Sequence, residues 1–335
     1  MTISSLPTID VSCFATGLPL PSPEADAVAA TIDRTCREIG FLLITGHGVR
    51  PETKQGLLDK MREFFALPLE EKMKIAIGNS PCHRGYIAIG AEDLDGALAE
   101  LDPTVTYGLG DQKETIDSGT EDGPDHPEVV AGTPLYGPNQ LPDLPGFRDA
   151  WQAYFDEAVE AVLRVQRGLA MALGMPPTFF EDLPGFPLHH LRMIHYPPQG
   201  EVDERFLGCG AHTDYGLVTL LGEDGVGGLE VRVRDGSWIS ATVPDGHLVV
   251  NLSDMLAIWT NDRYVSNPHR VVNPPDMSRY SIPLFVTPPY HLRVECLPTC
   301  VEPGEVPKHD PLVSGPYLQS RFDGTHSYRN PLADV

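Results

Sequence analysis

From Leu188 onward the chain is cut into short apolar segments separated by turn residues. "LRMIHYPP", "GLVTLLG", "GLEVRV", "WISATV", "HLVVNLSD", "HRVVN", "YSIPLFVTP" and "HLRVEC" follow one another in this half. Alternating apolar and polar residues send successive side chains to opposite faces of a strand. Arg234-Asp235-Gly236-Ser237 has the composition of a hairpin turn between two of these strands. Many short strands at this spacing favour a barrel or jelly roll over a parallel sheet.

The first half reads differently. Ser22-Pro23-Glu24 has the makings of a helix start, a cap followed by proline at the first position. Val28, Ile32, Cys36 and Ile39 continue at helical spacing, and Gly40 can stop the helix. "FLLITGHGV" reads as a buried strand ending in a turn, and Pro51 opens a second helix with Leu57, Leu58, Met61, Phe64 and Phe65 on one side. Residues from about Gly110 to Gly146 are rich in Gly, Pro, Asp and Glu and read as loop. A long helix follows, with Trp151, Phe155, Ala158, Val162, Val165 and Leu169 as a core-facing stripe and Gly174 as its end. The expected organisation is one structural unit, mainly β with flanking helices. Residues 1–110 form a helical and strand region packed on the barrel, 111–187 an acidic loop and scaffold helix, 188–300 the jelly-roll core, and 301–335 a C-terminal tail or helix.

Charge and composition narrow the partners. The 335 residues include 47 acidic against 24 basic side chains, a net charge of −23. Such a surface repels phosphate backbones, so no nucleic-acid partner is expected. No apolar run approaches the roughly 18 residues of a membrane span, and "MTISSLPTIDVSCF" has no basic start before an apolar block, so neither membrane insertion nor secretion is expected. The six cysteines are scattered without a disulfide or zinc framework, which points to reduced thiols in the cytoplasm. Monomer and homodimer are not distinguishable at this level.

"GAHTDYGLVTLL" places His212 and Asp214 two residues apart at the mouth of a strand, on one face. With 12 histidines in the chain, roughly one such spacing arises by chance. His126-Pro127-Glu128, in the polar loop with a proline inside, is set aside on that ground. His212 and Asp214 have a candidate third partner, His269 in "NPHRVVN", at the start of another strand. Two imidazoles and a carboxylate make the facial triad that suits non-haem Fe(II) and leaves three octahedral positions open. A hydrogen-bonded His212–Asp214 pair with His269 capping a strand fits the spacing equally well. Arg279 and Ser281, on one face of "RYSIPLFV", add a guanidinium and a hydroxyl suited to a carboxylate. Tyr196 in "LRMIHYPP" shares a face with Ile194 and can offer its hydroxyl to the same ligand. Gly225-Val226-Gly227-Gly228 reads as a turn between strands, and no nucleophile elbow or Walker loop is present.

Taken in order, "LPTIDVSCF", "GFLLITGHGV", "FFALPLEEK", "LYGPNQLPDLPGFRDA", "GAHTDYGLVTLL", "GVGGLEV", "VVNLSDMLAIWTND", "SNPHRVV", "RYSIPLF" and "GPYLQSRFDGTH" closely resemble the isopenicillin-N-synthase-like branch of the 2-oxoglutarate/iron(II) dioxygenases, over almost the whole chain. The resemblance implies a double-stranded β-helix, or jelly roll, with flanking helices. It implies that His212, Asp214 and His269 bind Fe(II), that Arg279 and Ser281 hold the distal carboxylate of the co-substrate 2-oxoglutarate, and that Tyr196 assists. This chain departs from the family in one place. An Asn often stands two positions before the Tyr, and here that position is Ile194, so its contact to the co-substrate must be absent or replaced. Asp214 is intact, which argues against halogenation.

The implied reaction couples O2-dependent decarboxylation of 2-oxoglutarate to succinate and CO2 with hydroxylation, desaturation or ring closure of a small-molecule substrate, by default one of specialised metabolism. The alternative is an iron oxidase or cyclase of the same fold that uses no 2-oxoglutarate. Tyr86 and Phe285 are equally placed as substrate-pocket or core residues. The sequence does not identify the substrate.

Overall fold

The computed structural model describes residues 5–92, 94, 111–200, 207–302 and 304–325. Its frame is two sheets. The larger is built from β1 (Thr8–Asp10), β2 (Phe41–Thr45), β3 (Gly85–Ile87), β4 (Glu114–Gly119), β5 (Leu188–Tyr196), β7 (Val218–Glu223), β10 (Leu248–Leu252) and β12 (Arg279–Thr287). Its strand order is β1-β2-β10-β7-β12-β5-β4-β3, antiparallel except for the parallel pair β1–β2. The smaller sheet has the order β6-β11-β8-β9, from Cys209–His212, His269–Val271, Leu229–Arg232 and Trp238–Ser240. From β5 to β12 the chain passes back and forth between the two sheets, with β8 and β9 kept together in the small one, as in a jelly roll. The hairpin turn read at Arg234–Ser237 joins β8 and β9.

The large sheet is apolar on both faces because it is covered on both. On the inner face Phe41, Leu43, Ile194 and Val249 meet Leu229, Val231 and Val271 of the small sheet in one buried cluster. On the outer face Leu42, Ile44, Leu191, Met193, Val250 and Leu284 pack with the helices. This explains why "FLLI" and "LVV" read as unbroken apolar runs.

Three helices cover that outer face: α1 (Pro23–Glu38), α2 (Pro51–Phe65) and α3 (Phe147–Ala172). Ser22 caps α1, its Oγ accepting from the Ala25 amide at 3.2 Å, with Pro23 next. The stripe read on α3 is buried throughout, from Trp151 to Leu169. Trp151 also donates its Nε1–H to Ser118 Oγ at 2.9 Å, tying the helix to β4. Gly174, at φ 72°, follows the helix in the left-handed conformation that glycine adopts without a Cβ clash. A short helix, α4 (Asp254–Trp259), follows β10, and α5 (Ser314–Thr325) closes the described chain. Among the described residues no helix is long and apolar enough to cross a membrane.

Two segments differ from the sequence reading. The stretch read as loop contains β4, a fully buried strand of the main sheet. Its sequence, ETIDSG, has no apolar alternation because its polar side chains are matched to specific partners. Glu114 accepts from Lys72 Nζ at 2.7 Å and Tyr86 Oη at 2.6 Å, Asp117 from Arg192, and Ser118 donates to the Leu191 carbonyl at 2.8 Å. "HLRVEC" contributes only β13 (Arg293–Val294), which pairs with β14 (Leu312–Val313) apart from both main sheets. His126, set aside as a ligand, caps the helical turn Pro127–Val130, its Nδ1 accepting from the Glu128 amide.

Candidate active site

The small sheet brings the two histidines together. His212 ends β6 and His269 begins β11, and the strands pair with these two residues directly opposite. Their ring centroids are 4.3 Å apart. Asp214, just past β6, turns one oxygen to both: Oδ1 lies 3.7 Å from His212 Nε2 and 3.7 Å from His269 Nε2. The three ligand atoms lie within 4.8 Å of one another. His212 Nδ1 is 2.7 Å from the Gly210 carbonyl and His269 Nδ1 is 3.3 Å from the Asn267 carbonyl. A proton on each Nδ1 leaves both Nε2 lone pairs facing the centre. Asp214 Oδ2 is taken by Asn251 Nδ2 at 2.6 Å and by the Thr219 hydroxyl, which leaves Oδ1 to a metal.

Electrostatics separates the two rings. Burial drives His269 down to about 4, and His212 beside it adds to the shift. Against the same cost of burial, Cys209 and Asp214 hold His212 up at about 10. Burial also opposes the charge on Asp214, but the two imidazoles and the bonds from Thr219 and Asn251 lower its carboxyl below the usual value. Without a metal the centre pairs the Asp214 carboxylate with a protonated His212; a divalent cation taking both Nε2 lone pairs would release that proton, and the donor set of two imidazoles and a carboxylate suits such an ion.

On the same inner wall, β12 and β5 pair so that Arg279 faces Tyr196 and Ser281 faces Ile194. Arg279 is 1% exposed, its guanidinium carbon 4.9 Å from the centre of the Tyr196 ring. It is not unpaired, as a lone buried cation would be: Nη2 donates to Glu223 Oε2 at 2.9 Å and Nε to the Gly227 carbonyl at 2.5 Å. Among the described residues, buried Nη1 has no hydrogen-bond partner, and neither has Glu223 Oε1. A buried orphan donor costs about 1–3 kcal/mol, and a carboxylate arriving in this cavity relieves it. Burial pushes the Tyr196 hydroxyl up to about 12, so it stays protonated and available as a donor, with Ser281 hydrogen-bonded to it. Arg279, Ser281, Tyr196, both histidines and Asp214 line one cavity.

Two family models match the chain. The model for the N-terminal region described as "non-haem dioxygenase in morphine synthesis" covers residues 6–144, and the 2OG-Fe(II) oxygenase superfamily model covers residues 187–288. The oxidoreductase hxnY of Emericella nidulans, of 2-oxoglutarate-Fe(II) type, is 37% identical over 90% of this chain and 87% of its own length. The chain belongs to the 2OG-Fe(II) oxygenase family. A homoarginine-6-hydroxylase of Oryza sativa is 34% identical over 94% of this chain and 95% of its own. A full-length Neurospora crassa protein, crystallised in complex with alpha-KG, superimposes with a TM-score of 0.78 at 30% identity, covering 94% and 95% of the two chains. A 2OG-Fe(II) oxygenase family protein from Caulobacter crescentus gives a TM-score of 0.79 at 27% identity over 96% and 99%. This oxygenase is therefore a jelly-roll enzyme that uses Fe(II) and 2-oxoglutarate.

Beside the metal centre the oxygenase has a second chamber, reached past Asp214 and Phe285 and walled by His190, Arg192, Tyr215, Leu318 and Phe322. Phe285 lines both spaces. Tyr86 does not: it is 2% exposed, packs against Phe64 and donates to Glu114. Behind the chamber His83, Asp117 and His190 form another compact set of nitrogen and oxygen donors. Charge tells the two sets apart. Arg192 grips both oxygens of Asp117 at 2.8 Å, and Arg84 Nη1 lies 3.4 Å from His190 Nδ1. A dication there would face two guanidinium groups, whereas among the described residues no basic side chain is bonded to Asp214 other than the triad's own histidines.

Asn251, Thr219, Glu223 and the buried groups around Arg192 are absent from the sequence reading. Asn251, Thr219 and Glu223 carry a faint but real signal, each a polar residue in an otherwise apolar strand, whereas Asp117 and Glu92 beside Arg192 carry none.

Proposed function

We propose that His212, Asp214 and His269 are the iron ligands, that Arg279, Ser281 and Tyr196 hold the distal carboxylate of 2-oxoglutarate, and that the adjoining chamber takes a small organic metabolite for hydroxylation. The observation that carries the reading is the convergence of two Nε2 atoms and Asp214 Oδ1, each freed by a bond on its far side. When bound, the iron supplies activation of O2 at the expense of 2-oxoglutarate. The residues supply geometry. Asn251 and Thr219 fix the plane of the Asp214 carboxylate. Glu223 and the Gly227 carbonyl hold the Arg279 fork at the cavity wall rather than letting it sample rotamers, with Nη1 left for a ligand. Leu318 and Phe322 on α5, with Phe285 on β12, keep water from the chamber.

A small polar substrate is supported by relatives: one is named a homoarginine-6-hydroxylase, and the Neurospora crassa protein has been crystallised with alpha-KG and thymine. A reducing, cytoplasmic setting belongs to the same proposal, supported by six cysteines that are all free. The deciding experiment is a screen of small polar metabolites for succinate released in strict proportion to substrate oxidised. Oxidation without succinate would overturn the assignment of the Arg279 pocket.

A further inference from the structure

Ile194 faces the co-substrate cavity and has no group to donate a hydrogen bond into it. The neighbouring strand brings a donor to the same cavity. Lys113 stands immediately before β4, is 3% exposed, and lines the same cavity as Ile194, Tyr196 and Arg279. The register explains why. Glu114 pairs with His195 and Thr115 with Ile194, so the next rung sets Lys113 level with Tyr196, which in turn faces Arg279.

The ammonium is held from behind. Asp111 accepts one of its protons, and Glu92 Oε2 lies 2.9 Å away. Asp111 is itself fixed by the Gly210 amide at 2.8 Å. Among the described residues the third direction meets only Cys209 Sγ at 3.5 Å, a weak acceptor. Burial disfavours the charge, but Asp111, Cys209 and Glu92 outweigh it and keep the ammonium charged. Gathering three charged side chains into the interior is costly unless they serve something beyond stability.

We propose that Lys113 is a co-substrate-binding residue: its ammonium donates to an oxygen of 2-oxoglutarate, from β4, in place of a donor at position 194. The proposal rests on the reading that Arg279 and Ser281 anchor the distal carboxylate. Lys113 then gives the dianion a second, separate point of attachment near the Cys209–His212 end of the cavity. Through Glu92 it is also joined to Arg192, whose Nη1 bonds that carboxylate at 2.9 and 3.0 Å and which lines both the co-substrate cavity and the substrate chamber.

The test is an anaerobic titration of the full-length Fe(II)-loaded protein with 2-oxoglutarate, read from the visible absorption of the complex. Lys113→Met is expected to raise the 2-oxoglutarate Kd tenfold or more while Fe(II) affinity stays within twofold. Lys113→Met combined with Ile194→Asn is expected to recover at least fivefold of that loss, because an amide at position 194 faces the same cavity. A purely structural role for Lys113 would show no such recovery. Should Lys113→Met fail to fold, Lys113→Met with Asp111→Asn, which removes the stranded carboxylate, takes its place in both arms. A Kd within twofold of the parent, or a raised Kd that Ile194→Asn leaves unchanged, overturns the proposal. Arg279→Ala run alongside separates the two levels: a raised Kd there with none at Lys113 overturns this inference alone, and an unchanged Kd there removes the reading beneath it as well.

Discussion

The two oxygens of Asp214 have different partners, and that asymmetry sets the behaviour of the metal site. Oδ1 faces the histidines, while Oδ2 is fixed by Asn251 and Thr219. On the proposed assignment a ligand replacement would remove a bond to iron, so His212→Ala or Asp214→Ala is expected to abolish Fe(II) binding and turnover with the fold retained. Anaerobic iron titration and thermal unfolding check this, and full activity in either variant would refute the triad. Asn251→Ala leaves the ligand but frees its plane, and we predict an affinity loss of roughly 10–100-fold, the usual cost of removing such a supporting bond. An iron affinity equal to the parent's would show that Thr219 alone orients the carboxylate. At the other end of the cavity, Arg279→Ala removes the cation and strands Glu223, which is 2% exposed. The expected weakening of 2-oxoglutarate is about 2–5 kcal/mol, as for a broken buried charge pair, measured as a Kd. The sequence displayed the residues of this site but not its supports, because Asn251 and Thr219 are ordinary members of apolar strands until the fold sets them beside Asp214.

At the level of elements, turns decide whether the apolar runs meet. Gly40 links α1 to β2 at φ 64°, and a Cβ there would run into the Val265 carbonyl. Its own carbonyl accepts from the Leu252 amide at 2.9 Å, so one residue joins helix, central strand and loop. Gly40→Ala therefore combines left-handed strain, about 1–2 kcal/mol by itself, with a backbone clash. We expect a loss of stability above that range in denaturant unfolding, and a loss below about 0.5 kcal/mol would contradict the clash, since that is the scale of neutral surface changes. The helices and most of the barrel strands were legible because their periodicity or caps survive in one dimension. β4 was not, since its polar side chains find their partners on Lys72, Tyr86, Arg192 and His195, all distant in sequence.

For the whole molecule, buried titrating groups set the response to acid. Burial lowers His189 to about 4, so the native state refuses a proton that the unfolded chain accepts from about pH 6.5 downward. Its contribution is complete above about pH 6.5 and is lost progressively toward pH 4, because the unfolded state binds more protons across that window. Burial works against the charge on Asp117, but Arg192 and the neighbouring His190 and His83 outweigh it and hold the carboxyl well below the usual range. That contribution is present above about pH 4 and disappears only as the pH falls further. The melting temperature of the metal-free protein should therefore rise between about pH 4 and 6.5, and decline above it toward pH 10 as His212, held up at about 10, loses its contribution. His189→Gln should reduce the slope in that window and leave the lower limb intact. An unaltered slope would place the acid sensitivity elsewhere.

Local chemistry alone determined that this chain forms a helix-flanked β-rich body, and that spacing puts His212 with Asp214, and Arg279 with Ser281, on one face of an extended segment. Strand periodicity and caps are properties of neighbouring residues, so one dimension carries them. Tertiary structure decided which strands became partners. That placed His269 opposite His212 across β11 and β6, supplied Glu223 to Arg279, and carried Lys113 to the cavity wall beside Ile194. Each of these contacts joins residues more than fifty positions apart, and sheet pairing, which closes those loops, leaves no mark in the spacing of the residues it unites.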